Sequence, residues 1–269
     1  MITDNGNNEW LHAHERIDDL QLDGLKIIQN PKGFCFGIDA VLLSNFVKLK
    51  ERETAVEFGT GTGIIPILLT AKTKNTRIHA FEVQPEVADM ARRSVALNQL
   101  NHRVTIIQDN LKHAAQYFEK GTVDVVFTNP PYMSSNGGIK NDYDNKTISR
   151  HEILCTLEDI LEKTSELLKF RGRFYMIHRP NRLVDIVDLC RKYKLEPKEI
   201  RFIQPSSEKK PNIFLLMCSK GGQPDLKFHD PLIVYDQNGM YTSEIYKIYG
   251  MEQITSFTKI DLNKGQEGE

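Results

Sequence analysis

The chain has 269 residues, 40% of them apolar and 26% charged, with a net charge of −1. This composition belongs to a folded globular protein and excludes a disordered, fibrous or membrane-embedded chain; the length suits one large α/β domain with a small appendage. The longest apolar run, near IIPILLTA, falls short of a bilayer span, and the polar start MITDNGNNEW has no apolar export segment.

Residues 20–50 read as a strand or hairpin followed by a helix capped by Asp39, an N-terminal extension (1–50) on the main domain. From residue 54 strands and helices alternate. TAVEF (54–58) is a short buried strand ending in GTGTG, and IIPILLTAK is a helix with Pro66 tolerated in its first turn. RIHAFEV (77–83) is a second strand, followed by a helix opening on Pro85. VTIIQD (104–109) is a third strand, a helix spans about 112–120, and TVDVVFT (122–128) is the fourth strand.

The polar stretch after TNPPY, through residue 150, reads as a long loop, of a length that usually marks a lid or binding loop. HEILCTLEDILEKTSELLKF is an amphipathic helix, RGRFYMIH a strand and RLVDIVDLCRKY a helix after Pro180. EIRFIQP and NIFLLMCSK are two strands with no helix between them, which predicts an antiparallel hairpin at the sheet edge. The alternation predicts a mostly parallel sheet with helices on both faces, a catalytic domain over 51–220 and a C-terminal extension over 221–269 with a flexible tail.

Glycines 59, 61 and 63 sit where a strand gives way to a helix, where they permit a tight turn beside a ligand. The spacing is not the dinucleotide fingerprint, whose third glycine would fall at Ile64, and no Gly-Lys-Ser/Thr follows as in a P-loop. Glu82 ends the second strand, where its carboxylate suits two ribose hydroxyls, and Asp109 ends the third, where it suits an exocyclic amine. Three successive strand ends thus converge on a nucleoside-like ligand.

After the fourth strand, TNPPYMSS holds Asn129 and Pro130 in restricted backbone conformations, since each proline fixes its own φ and extends the residue before it. VEFGTGTG, FEV, QDN and TNPPY, in this order, resemble the four strand-end motifs of the class I S-adenosylmethionine-dependent methyltransferases over roughly residues 50–220. The resemblance implies a Rossmann-like fold with a seven-stranded, mostly parallel sheet and S-adenosylmethionine as cofactor. It implies methionine-end contacts from Glu57, Gly59, Thr60, Gly61 and Gly63, ribose contacts from Glu82, and adenine contacts from Asp109 and Asn110. In that family NPPY marks methylation of an amino or amide nitrogen in a planar π-system: Asn129 and Pro130 accept its two N–H groups and Tyr132 stacks on its plane.

Over a longer stretch, LKIIQNPKGFCFGIDAVLLSNF, ISRHE, HRPNRL and PLIVYDQNGMYTSEI resemble the YfiC-like bacterial tRNA adenine-N6 methyltransferases, from about Leu20 to Tyr249. This implies a cytoplasmic enzyme acting on the adenosine 3′ of the anticodon of a valine tRNA. A protein glutamine N5-methyltransferase and a non-catalytic RNA-binding module on the same fold are the alternatives. Residues 169–220 carry 13 Lys and Arg against 5 Asp and Glu, an excess that suits a polyanion as well as it suits solvated helix faces. Lys140, Lys146, Arg150, Arg179, Arg182, Lys209 and Lys210 are the candidate phosphate contacts. Arg150, His151 and Glu152 also read as a helix start held by local charges. His151 and His178 show no metal-ligand spacing, and the four cysteines form no CxxC pair, so neither a metal site nor a disulfide framework is expected.

Overall fold

The computed structural model describes residues 9–33, 35–131 and 155–251. A small antiparallel hairpin comes first, β1 (Arg16–Asp19) with β2 (Lys26–Gln29), followed by helix α1 (Ile38–Phe46). Gly37, not Asp39, occupies the N-cap of α1; Asp39 lies in the first turn, where its charge still favours the helix start. The chain then alternates through β3 (Thr54–Phe58), α2 (Ile64–Lys72), β4 (Arg77–Glu82), α3 (Pro85–Leu97) and β5 (Val104–Gln108). The helix expected at 112–120 is a shorter 3-10 turn, Leu111–Gln116, capped by the Asn110 side chain. It leads to β6 (Val123–Thr128).

Helix α4 (Leu157–Leu167) opens on a capping box in which Thr156 and Asp159 satisfy each other's backbone N–H groups. It runs directly into β7 (Leu168–His178), and α5 (Leu183–Lys192) precedes the antiparallel pair β8 (Leu195–Gln204) and β9 (Ile213–Lys220). The C-terminal segment adds the two-residue strands β10 (Lys227–Phe228) and β11 (Leu232–Ile233) and helix α6 (Ser243–Ile248).

The main sheet runs β10-β8-β9-β7-β6-β3-β4-β5, with β11 also paired to β8. Strands β3 to β7 are mutually parallel, and β9 is antiparallel to both its neighbours. This is the α/β class the sequence predicts, with seven long strands and two short additions at one side. The antiparallel hairpin expected at the sheet edge is there, with β9 beside β7 and β8 as the outer long strand.

Alternating side chains feed two cores. On one face Leu42, Leu43, Ile67, Leu69, Ala91 and Val95 pack from α1, α2 and α3, joined by Ile245 and Ile248 of α6. On the other, Ile160, Leu161, Leu167, Ile186 and Cys190 pack from α4 and α5. The chain steps outward from β3 to β4 to β5, then returns to place β6 on the opposite side of β3. In such an open sheet the reversal leaves a crevice outside the carboxyl ends of the two flanking strands. Gly59 and Asn129 are the first residues beyond those ends.

Candidate active site

The strand ends are aligned by register. Phe58 pairs with Phe81 on one side and Thr128 on the other, Glu82 pairs with Gln108, and Thr128 pairs with Met176. The loop after β3, the acids after β4 and β5, and the Asn-Pro-Pro segment after β6 therefore share one edge. Thr128 tightens the central pair, its hydroxyl donating to the Phe58 carbonyl at 2.8 Å.

Three left-handed residues shape the loop: φ is 76° at Gly59, 57° at Gly61 and 87° at Gly63. Any side chain would be strained there. At Gly59 and Gly61 a Cβ would enter open space, so backbone conformation and room for a ligand, not crowding by the protein, set the need for glycine. The Gly59 and Thr60 N–H groups both donate to the Phe81 carbonyl, at 3.0 and 2.9 Å, which fastens the loop to β4.

Glu82 does more than end a strand. Its carboxylate accepts from the Gly61 N–H at one oxygen and from the Gln84 N–H at the other, both at 3.0 Å. Nearly buried, it braces the loop that it faces.

Glu57 lies one residue deeper, with no exposed surface. Among the described residues neither carboxylate oxygen has a hydrogen-bond partner, nor does the buried Thr60 hydroxyl. Burial pushes the Glu57 carboxyl up to about 8; the nearby Thr60 hydroxyl, outside bonding geometry, opposes the rise and the Glu82 charge adds to it. A buried acid with both oxygens orphaned calls for a polar group or cation that completes it.

Asp109 is more engaged than the sequence suggests. One of its oxygens meets His113 Nδ1 at 2.8 Å and accepts from the Asn110 N–H at 2.7 Å; the other accepts from the Tyr117 hydroxyl at 2.9 Å. The His113 contact leads the effects that hold its carboxyl below the usual carboxylate range. Tyr117 in turn meets Phe81 edge-on, with ring centroids 5.5 Å apart. The sequence carries no signal for Tyr117, and for His113 only its spacing of four from Asp109 on a helical turn. Asn110 accepts from the Lys112 N–H at 3.0 Å.

Asn129 is half-buried and Pro130 buried just beyond β6. Tyr132, the third expected member of that motif, lies outside the described residues, as do Lys140, Lys146, Arg150, His151 and Glu152. Thr128 pairs with Met176 as the last pair of the β6–β7 register, so His178, which ends β7, lies at the same sheet edge as Asn129 and Pro130. The Arg179 N–H donates to His178 Nδ1 at 2.8 Å, which leaves the proton of the neutral ring on Nε2. Burial pushes this imidazole down to about 4, with the charges of Arg182 and Arg179 adding. No three His, Cys, Asp or Glu side chains converge as a metal-binding group among the described residues. Nor is any helix among them long and apolar enough to cross a membrane.

Residues 36–182 match the methyltransferase small domain family. The chain belongs to that family. The match runs from just before α1 to the turn after β7 and so contains every candidate catalytic and cofactor-binding residue. Related proteins include a Pedobacter heparinus protein named tRNA1(Val) (adenine(37)-N6)-methyltransferase, 28% identical over 211 residues, which are 78% of this chain and 86% of that protein. A Haemophilus influenzae protein of the same name is 25% identical over 225 residues, covering 82% and 92%. Among solved structures, a predicted O-methyltransferase from Agrobacterium tumefaciens superposes with a TM-score of 0.64 at 20% identity, over 80% of this chain and 96% of that one. Geranyl diphosphate C-methyltransferase from Streptomyces coelicolor gives 0.51 at 14% identity, over 68% and 77%. These likenesses establish the Rossmann-like methyltransferase fold.

Proposed function

We propose that this protein is an S-adenosylmethionine-dependent methyltransferase that modifies N6 of an adenosine in tRNA, the one 3′ of the anticodon of a valine tRNA. The observation that carries the reading is the pairing of the glycine loop with the Asn129–Pro130 segment across the β3–β6 switch, fixed by Phe58 opposite Thr128. A cofactor half and an acceptor half thereby meet at one crevice. The names of the relatives, matched over most of their length, support the substrate.

The residues present fit the cofactor. Open space at Gly59 and Gly61, and the orphaned Glu57 carboxylate beneath them, suit the methionine end and its ammonium group. Thr60 and Gly63 complete that loop. Glu82, an acceptor at the end of β4, takes the ribose hydroxyls while bracing Gly61; Asp109 and Asn110 flank the adenine. When bound, S-adenosylmethionine supplies an electrophilic methyl group on a sulfonium.

The chain's own task is to make an aromatic amine nucleophilic. The lone pair of the adenine N6 is delocalised into the ring, and two fixed acceptors, Asn129 Oδ1 and the Pro130 carbonyl, hold its two N–H groups and favour a pyramidal nitrogen. Tyr132 is assigned the face of the base. Asn129 cannot take a proton; once methylated, the nitrogen is strongly acidic and loses one N–H proton to water. An unpaired anticodon-loop base reaches the crevice at lower cost than a paired one. The site of action is the cytoplasm.

The test is incubation with methyl-labelled S-adenosylmethionine and unmodified tRNA, followed by nucleoside mass spectrometry. N6-methyladenosine in valine tRNA is expected. Label on a protein glutamine, or on no RNA, would overturn the assignment.

A further inference from the structure

The C-terminal segment carries an aromatic feature that the methyl-transfer chemistry does not use. Tyr235 and Tyr241 pair across a tight turn as an isolated antiparallel bridge. The Asp236 carboxylate accepts from the Asn238 and Met240 N–H groups at 2.8 and 3.0 Å, and Gly239 takes the left-handed conformation, with φ at 76°. On this turn the two rings stack, with centroids 5.3 Å apart and planes 19° apart. Tyr249 stacks on Tyr241 at 5.7 Å and 13°, and Tyr246 meets Tyr241 edge-on at 5.9 Å.

The base of the stack is anchored. The Thr242 hydroxyl donates to the Ile233 carbonyl at 2.7 Å, Arg201 pairs with Glu244 at 2.7 Å, and Ile245 is fully buried. Its outer end is not: Tyr235 is 42% exposed, and the neighbouring Met240 57%. A stack held rigid at its root and open at its tip has already lost its rotamer freedom, so a further flat ring settles on it at low entropic cost.

Position and charge identify that ring. Ile233 pairs with Gln204, Phe202 with Phe214 and Phe214 with His178, which places Tyr235 at the same sheet edge as Asn129. It stands four strand spacings from β6, on the order of 19 Å. The Tyr235 N–H donates to the Pro205 carbonyl at 2.9 Å, so the turn abuts the loop that carries Lys209 and Lys210. Both lysines are exposed, and neither forms an ion pair among the described residues. Arg179 and Arg182 follow β7 at the same edge.

We infer that Tyr235 is a stacking platform for an unpaired RNA base near the target adenosine, with Lys209 and Lys210 on the adjoining phosphates. The inference rests on the proposed RNA methyltransferase reading and adds to it a substrate-binding surface outside the matched domain. An exposed aromatic beside unpaired lysines is how single-stranded nucleic acid is gripped without base-specific readout.

The test uses the full chain and a fluorescently labelled anticodon stem-loop of valine tRNA. Tyr235→Ala is expected to weaken binding and raise KM roughly fivefold to a hundredfold with kcat largely kept, whereas Tyr235→Phe, which keeps the ring, binds like the parent. Lys209→Ala with Lys210→Ala should flatten the salt dependence of binding by about one unit per lysine. Calorimetric affinity for S-adenosylmethionine, expected to be unchanged in each variant, reports that the fold is intact. If Tyr235→Ala binds the RNA as the parent does, the platform is wrong and the methyltransferase reading stands; equal losses in the Ala and Phe variants also overturn stacking. If the parent binds no RNA and labels a protein instead, the underlying reading fails, and the platform with it.

Discussion

The Glu82 carboxylate accepts the Gly61 N–H at 3.0 Å, joining the end of one strand to the glycine loop after its neighbour. The same side chain is assigned the ribose hydroxyls, so it shapes the pocket and occupies it. Glu82→Ala leaves the Gly61 and Gln84 N–H groups without this acceptor, at a cost of about 1–3 kcal/mol per group that stays dry. The expected result is a lower melting temperature together with a large loss of S-adenosylmethionine affinity by calorimetry. An unchanged affinity would show that Glu82 only braces the loop.

Gly61→Ala separates backbone from side-chain effects. The left-handed φ of 57° costs an alanine about 1–2 kcal/mol, yet its methyl would meet no protein atom within 4 Å. A modest drop in stability with a far larger drop in cofactor affinity is expected. Loss of stability alone would argue that the open space beside Gly61 is not where the cofactor lies.

Glu57 makes the cofactor-free protein sensitive to base. Its folded pKa of about 8 lies above the unfolded value of about 4.3, so its favourable contribution is complete below the unfolded value and is lost as pH rises through about 8. Glu57→Gln, neutral at every pH, should therefore gain stability over the parent as pH climbs through this window, and lose cofactor affinity. Thermal melts across the pH range measure the first effect; a pH-independent difference would mean that the carboxyl is not buried as an acid.

His178 predicts the opposite slope. Its folded pKa of about 4 lies below the unfolded value of about 6.5, so it stabilises the fold above that value and the contribution disappears as pH falls through about 4. His178→Asn should reduce the acid sensitivity of the fold between these limits. Identical acid melting profiles for variant and parent would refute the assignment of a buried neutral ring.

Asn129→Ala should abolish methyl transfer while sparing cofactor binding, because this residue is assigned to the acceptor alone. The discriminating measurement pairs single-turnover kinetics with calorimetry. Normal turnover in the variant would sink the proposed role of Asn129.

Much of this was legible along the chain because the signals are local. Short apolar strands, Pro85 at a helix start and three glycines at a strand end act over a few neighbours, and the helices α2 and α3 begin where the sequence places them. The cap of α1 is Gly37 rather than the expected Asp39, because both residue types suit a helix start and only the backbone path distinguishes them. Ahead of β1, Trp10 and Glu15 are held by Arg93 of α3, which donates to the Trp10 carbonyl at 2.5 Å and pairs with Glu15 at 2.6 Å. That tie spans more than seventy residues and has no sequence signature.

By itself, then, the sequence determined the α/β alternation and the order of the four strand-end motifs, since hydrophobic period and glycine or proline geometry need no distant partner. Tertiary structure decided what each motif touches: Glu82 on the Gly61 loop, Asp109 beneath His113 and Tyr117, Thr128 on Phe58, and β9 between β7 and β8. It also brought Tyr235 to the edge that holds Asn129, across more than a hundred residues of chain. Strand pairing sets such contacts through hydrogen bonds between distant backbones, and a backbone amide reads much the same whatever the side chain it carries.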